Sequence, residues 1–253
     1  MLHLAAVGMG ALAIPSLVLG AMGAAQVGAL AGLGAFGAVL TAIALGLRAA
    51  LITSIVLGVL CAVGVAASHN VVAAMVFMAL VAAAFGWTAR MGANRALVLV
   101  PITLAFVVNE PPQMGGSALH PTLLLGVATI AAACLASVAT AGALGRTKPA
   151  GHLDVVSRSR AGAFAALLAV TTVVTTAIAV GGEWGHAGGW MVMTPFIVIQ
   201  PYVQEGWRKA LRRAGGTIGG FLIAMALATA LHDTTWLLLA GVLFPAPTIT
   251  AYA

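Results

Sequence analysis

Ten apolar runs, none containing Asp, Glu, Lys or Arg, divide this chain near residues 2–22, 27–46, 50–67, 71–88, 96–109, 121–145, 161–181, 189–204, 214–231 and 234–250. Most approach the roughly 20 residues that a helix needs to cross about 30 Å of hydrocarbon. Lipid offers the backbone no hydrogen-bond partners, so a spanning segment is either a helix or part of a closed barrel. Alternation at period two is absent and the runs are too long for barrel strands, which leaves helices. The expected fold is therefore an all-α membrane protein, a polytopic helical bundle of about ten transmembrane helices. Composition excludes the soluble alternative: 62% of the chain is hydrophobic, 6% is charged and the mean hydropathy is +1.12. So few charges cannot form the polar shell that a water-soluble core of this size requires.

The formal charge of +6 would point to nucleic acid in a soluble protein. Here the cations stand in short clusters between apolar runs, with no basic face and no aromatic-basic interleaving, so nucleic acid is not an expected partner and the lipid bilayer is. Threading the runs back and forth brings Arg48, Arg90, Arg95, Arg146, Lys148, Arg158, Arg160, Arg208, Lys209, Arg212 and Arg213 to one side. Because cytoplasmic loops are enriched in Lys and Arg, the expectation is a multi-pass plasma (inner) membrane protein with a cytoplasmic amino terminus. Glu110, Glu183 and Asp233 fall on the opposite side, and Trp87, Trp184, Trp190, Trp207 and Trp236 fall near the interfaces. Residues 2–22 lack the basic leader of a signal peptide and are followed by nine similar runs, so they are read as a first span. Cys61 and Cys134 lie in the middle of apolar runs and read as small buried side chains, with neither a disulfide framework nor a metal site supported. No cofactor is expected.

A shift of 160 positions lays Gly46-Leu47-Arg48-Ala49-Ala50-Leu51 on Gly206-Trp207-Arg208-Lys209-Ala210-Leu211, and Gly28 on Gly188. Six crossings precede the second copy, so both copies have the same orientation, related by a pseudo-twofold axis along the membrane normal. The expected organisation is a first transmembrane half of six helices at 1–145, a cytoplasmic linker at 146–160 and a second half of about four helices at 161–253. By this count the second repeat of six is expected to be incomplete.

The segment Trp190-Met191-Val192-Met193-Thr194-Pro195, followed by Arg208-Lys209-Ala210-Leu211-Arg212-Arg213-Ala214-Gly215-Gly216-Thr217-Ile218-Gly219-Gly220, resembles the fusaric acid resistance (FUSC) family of integral membrane transporters. The likeness rests on a Trp-x-x-x-Thr crossing and on Lys209, Ala210, Arg213, Gly216, Thr217 and Gly219 at matching spacing, within residues 188–220. That family is similar to bacterial aromatic carboxylic acid efflux pumps and, more distantly, to plant aluminium-activated malate channels. The resemblance implies export of small, often aromatic, organic anions. Many larger relatives carry a soluble domain between the halves, where this chain has only its short linker.

The residues themselves name a tentative substrate route. Lys209 and Arg213 are i and i+4, as are Arg208 and Arg212, so the four form two adjacent stripes at a helix start. Such a cluster at a narrow mouth raises the local concentration of an anion, while the alternative use of the same residues is to anchor the helix end at the headgroups. Pro195 and Pro201 interrupt a short crossing and free backbone carbonyls, which makes Thr194 and Gln200 candidates for the route, with helix packing as their other reading. Gly215, Gly216, Gly219 and Gly220, spaced for close helix contact, and Thr217 are expected to pack a return helix rather than cradle phosphate. Glu110 is the candidate group for proton coupling, with a solvated helix end as its other reading, and His69 and His120 read as solvated. No HExxH, nucleophile elbow, paired carboxylates or CxxC is present, so no enzymatic activity is expected. A passive anion channel and a non-transporting scaffold stay open beside the pump, as does a homo-oligomer. Replacing Lys209 and Arg213 by Gln is expected to abolish resistance to an exported aromatic acid with membrane insertion intact. Unchanged export in that variant removes both from the route.

Overall fold

The computed structural model describes residues 2–113, 119–145, 155–199 and 201. Residues Ala6–Pro201 form one compact unit. Its elements are α1 (Leu2–Ala21), α2 (Ala25–Leu45), α3 (Leu47–Ser68), α4 (Val71–Thr88), a 3₁₀ turn (Ala89–Met91), α5 (Asn94–Leu97), α6 (Leu99–Asn109), α7 (Leu119–Leu144), α8 (Arg158–Gly181) and α9 (Gly185–Val198). All regular structure among the described residues is helical. Six of these helices, α1 to α4, α7 and α8, are long and apolar enough to cross a membrane. The ninth and tenth apolar runs lie outside the described residues.

The helix ends are set by local chemistry. Asn70 starts α4 by accepting from the backbone N–H groups of Val72 at 2.9 Å and Ala73 at 3.1 Å, and Ser157 starts α8 by accepting from that of Arg160 at 3.4 Å. Each satisfies donors that the first helical turn leaves unpaired. The joint between α2 and α3 is Gly46 alone, at φ 86°, a conformation that favours glycine.

Two segments are shorter than a full crossing. Residues Asn94–Asn109 form an apolar helical stretch of about 24 Å at 1.5 Å per residue. Its hydrogen-bond ladder lapses at Val98, where the backbone stays right-handed (φ −58°, ψ −30°), because Pro101 has no N–H to give the preceding turn. Helix α9 reaches about 21 Å by the same rise. It carries Pro195 within it and ends where Ile199 turns extended (φ −79°, ψ 122°). The sequence places the eighth crossing at 189–204; the helix begins four residues earlier and stops at Val198.

The shift of 160 positions recurs in backbone geometry. At the α1–α2 turn, Gly23 N–H donates to Gly20 O at 3.0 Å and Ala24 N–H to Leu19 O at 2.7 Å. At the α8–α9 turn, Glu183 N–H donates to Val180 O at 3.2 Å and Trp184 N–H to Ala179 O at 3.0 Å. Gly23 (φ 79°) and Glu183 (φ 54°) hold the same left-handed position, Glu183 at a steric cost that glycine avoids. The partners agree too: a Cβ on Gly28 would press on Leu19 Cβ at 3.1 Å, and one on Gly188 on Ala179 Cβ at 2.9 Å. The two hairpins thus share their turn hydrogen bonds and their left-handed position.

Small residues bring the helices together. Helix α2 lies on α1 through Gly28 and Gly32, and α3 meets α7 where Gly58 faces Gly126. Helix α8 lies along α4, with Gly86 directly against the backbone of Ala165 and with Phe85 tilted on Phe164 at 6.4 Å. Apolar side chains pointing away from these seams, including Leu17, Leu80 and Leu135, are exposed and suited to hydrocarbon contact. In lipid this packing relies on close van der Waals contact rather than on water exclusion. Gly86→Leu should therefore separate α4 from α8 and lower stability by about 1–3 kcal/mol. Gly142→Ala, at an exposed helical glycine with open space around it, should leave stability unchanged or slightly raised. Thermal unfolding in detergent checks both.

Candidate functional site

The two short segments meet. Helix α6 packs against α9, and the contact is close because Gly188 and Gly189 present no side chains. A Cβ on Gly189 would sit 2.6 Å from the Phe106 ring, and one on Gly188 would sit 2.8 Å from Asn109 Oδ1. The approach sets the last turn of α6 beside the first turn of α9.

At this junction three side chains form a chain of hydrogen bonds. Trp190 Nε1–H donates to His186 Nε2 at 3.0 Å, one turn earlier on α9. His186 Nδ1 lies 2.9 Å from Glu110 Oε2, just past the end of α6. The indole can only donate, so Nε2 accepts, and a neutral ring carries its proton on Nδ1, from which it donates to the carboxylate. The hydrogen bonds thereby select one tautomer. Phe106 braces the group, with its ring 5.4 Å from that of His186 and edge-on to Trp190 at 5.7 Å. The His186 and Glu110 side chains are 66% and 39% exposed, so protons can reach them, and an exposed pair of this kind contributes at most about 1 kcal/mol to stability.

Asn109 donates through Nδ2 to Ala105 O at 2.8 Å, while its Oδ1 is buried and has no partner among the described residues. Thr194, expected on the substrate route, is exposed one turn beyond Trp190 and uses its hydroxyl on Trp190 O at 2.8 Å. Gln200, Arg208, Lys209, Arg212, Arg213, Gly215, Gly216, Thr217, Gly219 and Gly220 lie outside the described residues. Of the named site residues, the structure thus places Glu110 and Thr194, Glu110 in the hydrogen-bonded chain and Thr194 beside it. His186 and Phe106 were not legible as partners of Glu110, since 76 residues separate Glu110 from His186. A histidine one helical turn ahead of a tryptophan at the start of an apolar run was the available signal.

The opposite end of the unit is basic. Arg90 and Arg158 both lie over the Trp87 ring, at 5.6 and 5.9 Å from its centroid, and Val156 N–H donates to Ala89 O at 3.3 Å. Helix α6 runs between the Arg95 end and the Glu110 end, which separates cations from carboxylate as the sequence expects. Among the described residues no group of His, Cys, Asp and Glu is arranged to hold a metal ion.

Residues 170–253 match the family model described as fusaric acid resistance protein-like, a span that takes in α9 and the second half of α8. No curated protein and no solved structure matches the chain. His186 and Trp190 belong to the matched span and Glu110 does not. In a background with the other tryptophans replaced by Phe, His186→Leu should remove the indole's acceptor and change Trp190 emission. Emission unchanged in that variant would show that the Trp190–His186 hydrogen bond does not form.

Proposed function

We propose that this chain, a membrane protein of the fusaric acid resistance protein-like family over residues 170–253, exports small, often aromatic, organic anions across the plasma (inner) membrane. The amino terminus faces the cytoplasm in this reading. The basic residues Arg208, Lys209, Arg212 and Arg213 gather the anion at the inner mouth, and Thr194 and Gln200 stand along its route. No enzymatic step and no nucleic acid enters the proposal.

The observation that carries it is the Glu110–His186–Trp190 chain at the meeting of two truncated, proline-bearing helices. Interrupted helices are common sites of substrate and ion binding in transporters. A proton arriving at Nε2, with the Nδ1 proton passing to Glu110 Oε2, leaves a neutral ring of the other tautomer and a neutral carboxylic acid. Nε2 then carries a proton and can no longer accept from Trp190. Proton uptake is thereby tied to the contact between α6 and α9, which couples the anion's outward step to inward movement of a proton.

Purified protein in liposomes, loaded with benzoate as a representative aromatic carboxylate, tests the reading. A proton gradient should drive benzoate against its own gradient in the wild type. Glu110→Gln and His186→Gln should abolish that coupled movement. Benzoate flux indifferent to the proton gradient would identify a passive channel, and absence of flux would leave a non-transporting subunit.

A further inference from the structure

The basic end of the unit holds a cluster that the proposed export does not use. Trp87 stands in the last turn of α4, the 3₁₀ turn carries Arg90, and Arg158 opens α8. That turn is pinned on two sides. Gly92, at φ 68°, closes it with an N–H to Ala89 O at 3.1 Å, and Val156 N–H donates to the same oxygen at 3.3 Å. Ala89 and Val156 are both buried. Gly162, one turn along α8 from Arg158, lets the indole come close, since a Cβ there would lie 3.9 Å from Trp87 Cζ3. One ring therefore has two guanidinium groups over it, Arg90 at 5.6 Å and Arg158 at 5.9 Å from the centroid.

Two like charges gathered on one ring repel each other, and the π face of the indole offsets only part of that. An anion between them removes the conflict. Glu110 and Glu183, the two carboxylates among the described residues, stand at the other end of the unit, one at the α6–α9 junction and one in the α8–α9 turn. Arg90, Arg158 and Trp87 are all exposed, so an anion from outside the protein can reach them. Their position names its source. Helices α4 and α8 are each long and apolar enough to cross a membrane, and the cluster lies where both reach an end. An indole favours that level of a bilayer, and it is the level of the lipid phosphates. Guanidinium forks bind phosphate through paired N–H groups.

We propose that Arg90 and Arg158, held against Trp87, bind the phosphate of an anionic phospholipid of the phosphatidylglycerol class at the end of the α4–α8 seam. The phosphate accepts from a guanidinium on the turn after α4 and from another at the start of α8. The lipid thereby ties together two helices distant in sequence. The seam it reinforces is the one where Gly86 lies against Ala165 and Phe85 tilts on Phe164 at 6.4 Å. Close packing holds that stretch, and the bound anion holds its end. A zwitterionic lipid fits less well, because its own cation already faces the phosphate. Arg160 does not share the site: two residues past Arg158 it stands about 200° further around α8, away from Trp87.

The intact protein in a neutral detergent tests the site without reference to transport. Added dioleoylphosphatidylglycerol should raise the melting temperature by about 2 °C or more beyond the same amount of dioleoylphosphatidylcholine. Native mass spectrometry should show phosphatidylglycerol retained on the wild type in preference to phosphatidylcholine. Arg90→Gln combined with Arg158→Gln should weaken that preference about 10-fold or more, and Arg160→Gln should keep most of it. If the Gln pair does not fold, the two single variants are read in its place, and each should lose at least half of the preference. A preference undiminished in the pair, or in both single variants, would overturn the proposal. So would an equal loss in Arg160→Gln, which would mark a diffuse surface charge rather than a site. A rise in melting temperature reproduced in full by millimolar inorganic phosphate would assign the cluster to a free anion and overturn the lipid.

Discussion

Backbone-to-backbone approach at small residues is the interaction on which this bundle depends. Apolar side chains gain little by leaving lipid for one another, so helices associate only where they fit closely enough for dispersion contacts to accumulate. Gly28 and Gly32 on α1, Gly58 with Gly126, Gly86 on Ala165, and Gly188 and Gly189 on α6 supply that fit. Each is a place where even one added methyl group meets backbone or a packed side chain. The exposed leucines and valines are left to face hydrocarbon, where they need no partner.

The functional junction follows from the same contacts. Gly188 and Gly189 let α6 come close enough for Glu110 to reach His186, and Phe106 fills the space that the missing side chains leave. A larger residue at either glycine would push the carboxylate beyond hydrogen-bond range of the imidazole without touching either group. Positioning here belongs to residues with no side-chain chemistry of their own. It also explains why the junction sits at helix ends: α6 stops at Asn109 and α9 starts at Gly185, which puts polar groups at the edge of the apolar layer where they remain hydrated.

Much of the fold was legible because hydropathy and length are nearly sufficient in lipid. The runs at 27–46, 71–88 and 161–181 correspond to α2, α4 and α8 within a few residues. Where proline enters, the sequence was a poorer guide. Pro101 marks a lapse in the ladder at Val98 without turning the chain, whereas Pro195 is carried within α9 and the helix ends three residues later. Hydropathy registers both residues alike. Glu110 was recognisable as a carboxylate at the edge of an apolar run, but its partner was not. The His186 contact arises from α9 folding back on α6, and nothing local to either segment encodes it. The hydroxyls of Thr172 and Thr176, buried without a partner among the described residues, were equally hidden, since Thr171, Thr172, Thr175 and Thr176 read as four similar residues. Only packing separates the two that bond to their own helix from the two that do not.

The matching turns of the two hairpins let that difference be compared residue by residue. Position for position, α8 corresponds to α1 and α9 to α2, and the two turns share their hydrogen bonds. The residue equivalent to Thr172 is Leu12, whose backbone carbonyl presses on Gly32 at the α1–α2 contact. The residue equivalent to Thr176 is Ser16, which bonds Leu12 O at 3.0 Å and is satisfied. The first hairpin thus closes its seam with a carbonyl, a glycine and a self-bonded serine. In the second, Val192 stands where Gly32 does, and two threonine hydroxyls remain unpartnered. The first hairpin leaves no unpartnered hydroxyl at these two positions, and the second keeps two, on the helix that leads to the one described carboxylate–imidazole pair. An asymmetry of this kind, within a shared turn geometry, lets one hairpin close on itself while the other carries the polar side chains.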